Sequence, residues 1–351
     1  MRTRTFRESY GELTRLVAYR DTWAWYGALL VLLVLVPLVF PSFIVSFGTM
    51  IFISATGAVG LNLVTGTTGM ISLGYAGFLA LGAYTTAILL TDHHWPLLAA
   101  MAAGGLVSAG VSLLVGVPSL RLKGLYLAIT TLAFSIILTT LILEAGGLTG
   151  GSGGKSVVRP DLFGLPMNSG ASIYYLALAV AGLTIVGALN LLRSRVGRAW
   201  GAIRDYDIAA GLMGINLRRY KLLAFVVSAF VTGMAGSVLA LHLRYINVDS
   251  FEFITSIEAL TMIIVGGLGS VRGAVLGAVV ITLLPEMAAA IFQYIGGPMK
   301  SLSEARAPEL KGVIYALIIM FFLRFEPDGI EARWKHIKRF WLEWPFSRRR
   351  S

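Results

Sequence analysis

From Thr22 to Thr91 the chain runs through 70 consecutive residues without an Asp, Glu, Lys or Arg. A helix needs about 20 apolar residues to cross the hydrocarbon core of a bilayer, so this stretch alone has room for three. Composition extends the point to the whole chain. Hydrophobic residues make up 56% of it and charged residues 13%, where a soluble domain carries roughly 25% charged residues. A water-soluble fold has nowhere to bury that much apolar surface, so the solvent for most of the chain is lipid. The absence of cysteine removes disulfide scaffolds, thiolate zinc sites and thiol catalysis together.

Apolar runs divide the sequence into ten candidate spans, at 23–40, 43–64, 68–90, 96–117, 124–143, 171–192, 221–242, 253–268, 273–294 and 309–325. The expectation is an all-α polytopic membrane protein with about ten transmembrane helices, some broken by glycine, and both termini cytoplasmic. A basic segment, 1–22, precedes the membrane-spanning body at 23–325, and a basic-aromatic tail, 326–351, follows it. The positively charged first segment is too long for a signal peptide and lacks a small-residue cleavage site, so the first helix reads as a retained anchor.

Charge orients the spans. With the N-terminus inside, the cytoplasmic segments collect 23 of the 29 basic residues and only 9 of the 18 acidic ones. That is a strong positive-inside asymmetry, and it explains the net charge of +11 without nucleic acid. The tail mixes Trp334, Lys335, Lys338, Arg339, Trp341 and Trp344, a composition suited to the membrane interface.

Glycines cluster within spans. Gly66, Gly69, Gly74, Gly77 and Gly82 punctuate one segment, and Gly269, Gly273 and Gly277 fall four apart in another. Small residues at such spacing allow helix backbones to approach closely. Gly74, Gly77, Gly269, Gly273 and Gly277 are therefore read as packing positions. A glycine-broken helix can also line a pathway, because irregular backbone at membrane depth needs protein or a cavity beside it. The polar groups placed for that role are Asn62, Thr65, Ser72, Tyr75 and Tyr84, although a hydroxyl bonded within its own helix is the simpler reading of each. Glu258 and Glu286 fall near the outer ends of their spans and are read as reaching the interface. No relay of buried acids crosses the membrane.

Thr149–Ser156 resembles a phosphate-binding loop, but Thr149 stands where that pattern requires glycine, and the segment lies in the longest outer loop, 144–170. It is not read as a nucleotide site. The four histidines form no catalytic or metal pattern, and no zinc-protease signature occurs. An enzyme is not expected, nor is any cofactor or metal bound by this chain.

The cytoplasmic loop Arg193–Tyr220 is too long for a tight turn and too polar to span. Ala199–Leu212 reads as an amphipathic helix with Ala199, Ile203, Ala210 and Met213 on one face and Arg204, Asp205 and Asp207 on the other. Such a helix could rest on the anionic inner leaflet, with Arg193, Arg195 and Arg198 toward the headgroups, or dock into a soluble partner.

The order Ala209-Ala210-x-x-x-Gly214 resembles the Glu-Ala-Ala-x-x-x-Gly coupling loop of ABC importer permeases. In company with it, the glycine-rich stretch Gly60–Tyr84, Arg121–Tyr126, Leu148–Ser152 and Gly266–Gly273 resemble the LivM-type permeases of branched-chain amino acid importers. The likeness runs from about residue 45 to 295. It departs from the general importer motif at Ile208, where that motif has Glu, with Asp207 alongside.

The resemblance implies a permease subunit in the inner membrane forming half of a translocation pathway. It implies as partners a LivH-type permease, two ATPases of LivG/LivF type that bind ATP and Mg, and an extracytoplasmic binding protein. Arg198, Arg204, Asp205, Asp207, Ala209, Ala210 and Gly214 would make the ATPase-coupling loop. Leu, Ile and Val are the family's usual cargo, and Tyr75 favours amino acids over the urea or short amides carried by close relatives. The other readings are an ATPase-independent secondary carrier and a membrane assembly protein with no pathway.

Overall fold

The computed structural model describes residues 20–120, 122, 124–161, 167–295, 307–325 and 329–343. Each of the ten apolar segments coincides with a helix. These are α1 Arg20–Val39, α2 Ser42–Thr68, α3 Tyr75–Thr91, α4 Leu97–Ser119, α5 Leu125–Glu144, α6 Gly170–Arg193, α9 Leu217–Leu243, α10 Phe253–Gly266, α11 Val271–Ile295 and α12 Ala307–Phe325. The polar loop supplies two more, α7 Arg195–Asp205 and α8 Asp207–Leu212, and the tail supplies α13 Gly329–Glu343. The only sheet among the described residues is a two-residue antiparallel ladder, β1 Lys155–Ser156 with β2 Tyr245–Ile246.

Among the described residues five helices are long and apolar enough to cross a membrane, at Ser42–Thr68, Leu97–Pro118, Leu125–Glu144, Gly170–Arg193 and Leu217–Leu243. The protein is therefore an all-α, multi-pass membrane protein. Two of the ten segments are shorter helices than the sequence suggests. With a rise of about 1.5 Å per residue, α3 extends about 25 Å and α10 about 21 Å, and the hydrocarbon core is about 30 Å thick. The candidate span at 68–90 is shortened because α2 continues through Thr68 and the chain is non-helical from Gly69 to Gly74.

Helix α9 is the centre of the bundle, packing against α2, α3 and α4. A second group, α10 with α11, leans on α2. Backbones meet closely within each group. A side chain at Gly82 would run into the Gly233 carbonyl of α9, and one at Gly277 would run into the Met262 carbonyl of α10. Near the other packing glycines, a Cβ on Gly74 would come 3.2 Å from Thr131 O and one on Gly77 3.0 Å from the Ser135 Cα.

Helix α1 is peripheral, with Trp25, Leu30 and Leu38 exposed. Its one internal proline, Pro37, has no N–H for the Leu33 carbonyl. The hydroxyl of Tyr174 on α6 donates to that carbonyl at 2.9 Å, and Tyr175 donates to the Val34 carbonyl at 2.9 Å. The proline thus frees one of the two acceptors through which α6 holds α1.

Contacts sort the connections into two ends. At one end Lys155 pairs with Asp92 at 2.8 Å, β1 pairs with β2, and Thr91 donates to the Ser156 carbonyl. Within the nucleotide-loop lookalike, Thr149 is buried and donates to the Ile142 carbonyl at 2.7 Å, and Lys155 also donates to the Leu148 carbonyl. The opposite end gathers Gly69–Gly74, α7, α8 and the turn Gly267–Ser270 between α10 and α11.

Glu258 is half-buried on α10. The side chain of Glu286 lies outside the described part of α11, and residues 1–19, Arg121, Lys123 and Trp344–Ser351 lie outside the described residues. The tail helix α13 packs on α10 and α11, with Glu331 buried and Trp334 exposed.

Candidate coupling site

The polar loop does not form one amphipathic helix. It forms two, because Tyr206 takes an extended conformation (φ −161°, ψ 101°) that stops α7 at Asp205. Periodicity carried across that break puts Met213 on the wrong face. Ala199, Ile203 and Ala210 are buried, whereas Met213 is 84% exposed. Helix α7 starts at Ser194, whose hydroxyl accepts the Val196 N–H at 3.1 Å. Trp200 fastens it to the bundle. The ring is fully buried, and Nε1 donates to the Tyr220 carbonyl on α9 at 2.9 Å. Sequence reasoning missed Trp200; its signal was a large aromatic between Ala199 and Gly201 in an otherwise polar loop.

Helix α8 is attached by charge. Lys221 Nζ on α9 lies 3.3 Å from Asp207 Oδ2, both side chains being largely shielded from solvent. The acid nearest to the expected Glu position is therefore engaged within this chain. The helix ends where Gly214 adopts φ +86°, with the Ile215 N–H bonded to the Ala210 carbonyl at 3.1 Å. A left-handed residue just after a helix is ordinarily glycine, and this supplies the physical reason for the Ala-x-x-x-Gly spacing. Ala210 packs inward, Ala209 is half-buried, and Ile208, Leu212 and Met213 project outward. Leu212 is 86% exposed. Beside this tip lies a cleft of about 760 Å³ walled by Val117, Pro118, Ile208, Leu217 and the Asp207–Lys221 pair. Arg198 is exposed and donates to the Arg193 carbonyl at 3.0 Å, and Asp205 is exposed.

Arg204 points from α7 toward the glycine turns. Nη1 lies 3.5 Å from the Leu268 carbonyl, and a Cβ on Gly69 would stand 3.6 Å from its Cγ. Gly269 has φ +84°, and a side chain there would collide with the guanidinium. The next link is Asn62 on α2, whose Oδ1 accepts the Gly269 N–H at 2.9 Å. A polar cavity of about 250 Å³ separates Ile203–Asp207 from Thr68–Met70. The loop is thus in direct contact with α9, with the α10–α11 turn and with the break after α2.

Side-chain hydroxyls bond several N–H groups of that break. Thr65 Oγ1 accepts the Ser72 N–H at 3.4 Å, and Ser72 Oγ accepts the Gly74 N–H at 3.4 Å. The first N–H groups of a helix lack partners within it, and here neighbouring helices provide them. Leu73 N–H donates to Thr131 at 2.9 Å, Ala76 N–H to Ser256 at 3.0 Å, and Gly77 N–H to Ser135 at 2.9 Å. Of the sequence-predicted polar set, Asn62, Thr65, Ser72 and Tyr75 cluster around this break, and Tyr84 lies toward the far end of α3 against Phe251. All five are buried within the chain. Asn62 Nδ2 and the Tyr84 hydroxyl are buried without a hydrogen-bond partner.

Among the described residues no group of three His, Cys, Asp or Glu is placed to hold a metal. The contacts run without a gap from an exposed apolar tip to the glycine turns.

Comparison with known proteins places the chain in a family. The family model described as "Branched-chain amino acid transport system / permease component" matches residues 43–323. The chain is similar to the high-affinity branched-chain amino acid transport system permease protein LivM of Salmonella typhimurium strain LT2, with 36% identity over 286 residues, 74% of this chain and 67% of that protein. It is 35% identical to the LivM protein of Escherichia coli strain K12 over the same length. It is also 27% identical over 298 residues to the LivH permease protein of that strain, covering 79% of this chain and 90% of the relative. No solved structure matches the chain significantly. The chain belongs to the family of permease components of branched-chain amino acid transport systems.

Proposed function

We propose that this chain is one of two permease subunits of an ABC importer for branched-chain amino acids in the cytoplasmic membrane. The observation that carries the reading is α8, an apolar tip held out from the bundle and tied to it through Asp207–Lys221, Trp200–Tyr220 and Arg204–Leu268. An exposed apolar tip beside a cleft suits a protein partner better than water. Similarity to LivM and, more distantly, to LivH supports pairing with a LivH-type permease. Two ATPases of LivG/LivF type would receive α8, and an extracytoplasmic protein would deliver the substrate. ATP and Mg would be held by the ATPases.

In this reading the ten helices all span, some at a tilt or in a thinned bilayer, with both termini and the α7–α8 loop in the cytoplasm. Closure of the ATPases on nucleotide displaces α8. Lys221 and Trp200 carry the displacement into α9, and Arg204 carries it to the turn that Asn62 holds on α2. Those helices then change their tilt, and access to the substrate switches sides. Asn62, Thr65, Ser72, Tyr75 and Tyr84 would border the route near the broken segment, emerging as the helices part. Gly74, Gly77, Gly269, Gly273 and Gly277 would keep the moving backbones in contact.

Uptake by the reconstituted importer tests this. ATP-dependent accumulation of leucine, lost when the ATPases are omitted, is the expected result. Transport driven by an ion gradient without ATPases, or transport of urea in place of leucine, would contradict it.

A further inference from the structure

At the end of the bundle opposite α7 and α8, the first turns of α2 and α6 and the last turn of α9 surround a cavity of about 170 Å³. That is roughly five times the volume a water occupies in the liquid. Its polar walls are Arg159, Arg244, His242, Ser46, Ser42 and Thr49. Among the described residues no carboxylate lines it. Arg159 is fixed by donating Nε to the Leu241 carbonyl at 2.7 Å and Nη2 to the His242 carbonyl at 3.0 Å. Arg244 is fixed by the Asn168 carbonyl at 2.9 Å, in a left-handed backbone conformation (φ 63°) uncommon for a side chain of its size. His242 Nε2 lies 3.3 Å from Ser46 Oγ.

Two guanidinium groups thus share one cavity with only neutral acceptors. Burial first, and then the charge of Arg244, push the Arg159 guanidinium below its ordinary value, so the two cations act on each other. Like charges at close range repel unless an anion intervenes. Helix α2 adds donors, since it begins behind Pro41 with no side chain capping its first N–H groups.

We infer that this cavity holds a phosphate oxyanion, supplied by the headgroup of a membrane lipid. Arginine forks match phosphate geometry, and charge-assisted bonds to it are the stronger kind. Depth favours the lipid over free phosphate. The cavity lies where three membrane-length helices begin or end, which is the headgroup level. Phe43 and Ile44, exposed beside Ser42, offer an apolar flank for acyl chains. The helix ends α2, α6 and α9 would be clamped together by one lipid.

Native mass spectrometry of the importer complex, purified in mild detergent and supplied with phosphatidylglycerol, tests the assignment. Two variants probe the site differently. Arg244→Gln removes a charge. Gly170→Phe fills the mouth of the cavity from a position where a Cβ meets nothing within 4 Å, leaving both arginines in place. The expected result is a phospholipid retained by the native complex against excess inorganic phosphate and weakened about tenfold by each variant. Equal retention by the native protein and both variants would overturn the site. Displacement of the lipid by inorganic phosphate would overturn the headgroup as its source.

Discussion

The Asn62 side chain of α2 accepts the N–H of Gly269 at 2.9 Å, joining a helix to a turn 207 residues further along the sequence. Asn62 is fully buried, so the bond lies away from water. Replacing it by Leu leaves the Gly269 N–H without an acceptor, at a cost of about 1–3 kcal/mol. A lowered thermal unfolding midpoint for Asn62→Leu in the purified complex is expected. An unchanged midpoint would show that the turn is held by other contacts.

Backbone contact between α3 and α9 depends on Gly82. Gly82→Ala would drive a methyl group into the Gly233 carbonyl, and overpacking of this kind costs about 1–3 kcal/mol. The control is Gly110→Ala on α4, where a Cβ meets nothing within 4 Å. That change should be neutral or stabilise by up to about 1 kcal/mol through helix propensity. The yield of folded protein in size-exclusion chromatography should fall for the first variant only.

The Asp207–Lys221 pair attaches α8 to the central helix. Lys221→Met removes one charge of a shielded pair and leaves Asp207 without that partner. The prediction is an importer that still hydrolyses ATP but loses most of its stimulation by substrate and binding protein, with Lys221→Arg restoring it. Unchanged stimulation in Lys221→Met would mean that force passes elsewhere.

Much of this architecture was legible because lipid leaves few options. Every apolar run coincides with a helix, and the Gly214 of the short motif is the left-handed stop of α8. The end of α2 was not legible, since helical residues continue through Thr68 and the hydroxyls that satisfy the next helix start come from Thr131, Ser135 and Ser256. Hydrogen bonds spanning 58 and 180 residues leave no periodic trace. The coupling segment was misjudged for a local reason. Nothing in Asp205-Tyr206-Asp207 announces an extended residue, so a single helical period was carried through Tyr206 and placed Met213 inside. Lys221 and Trp200 were missed because their roles depend on where α9 begins.

On the proposed function the tip of α8 seats the ATPases. Co-purification from the native membrane with Leu212→Asp and Met213→Asp together tests this contact. Both side chains are exposed, so the bundle should fold unchanged. Loss of both ATPases with the second permease retained is the predicted result. A variant complex that keeps its ATPases, or a native chain that purifies alone, would contradict the claim.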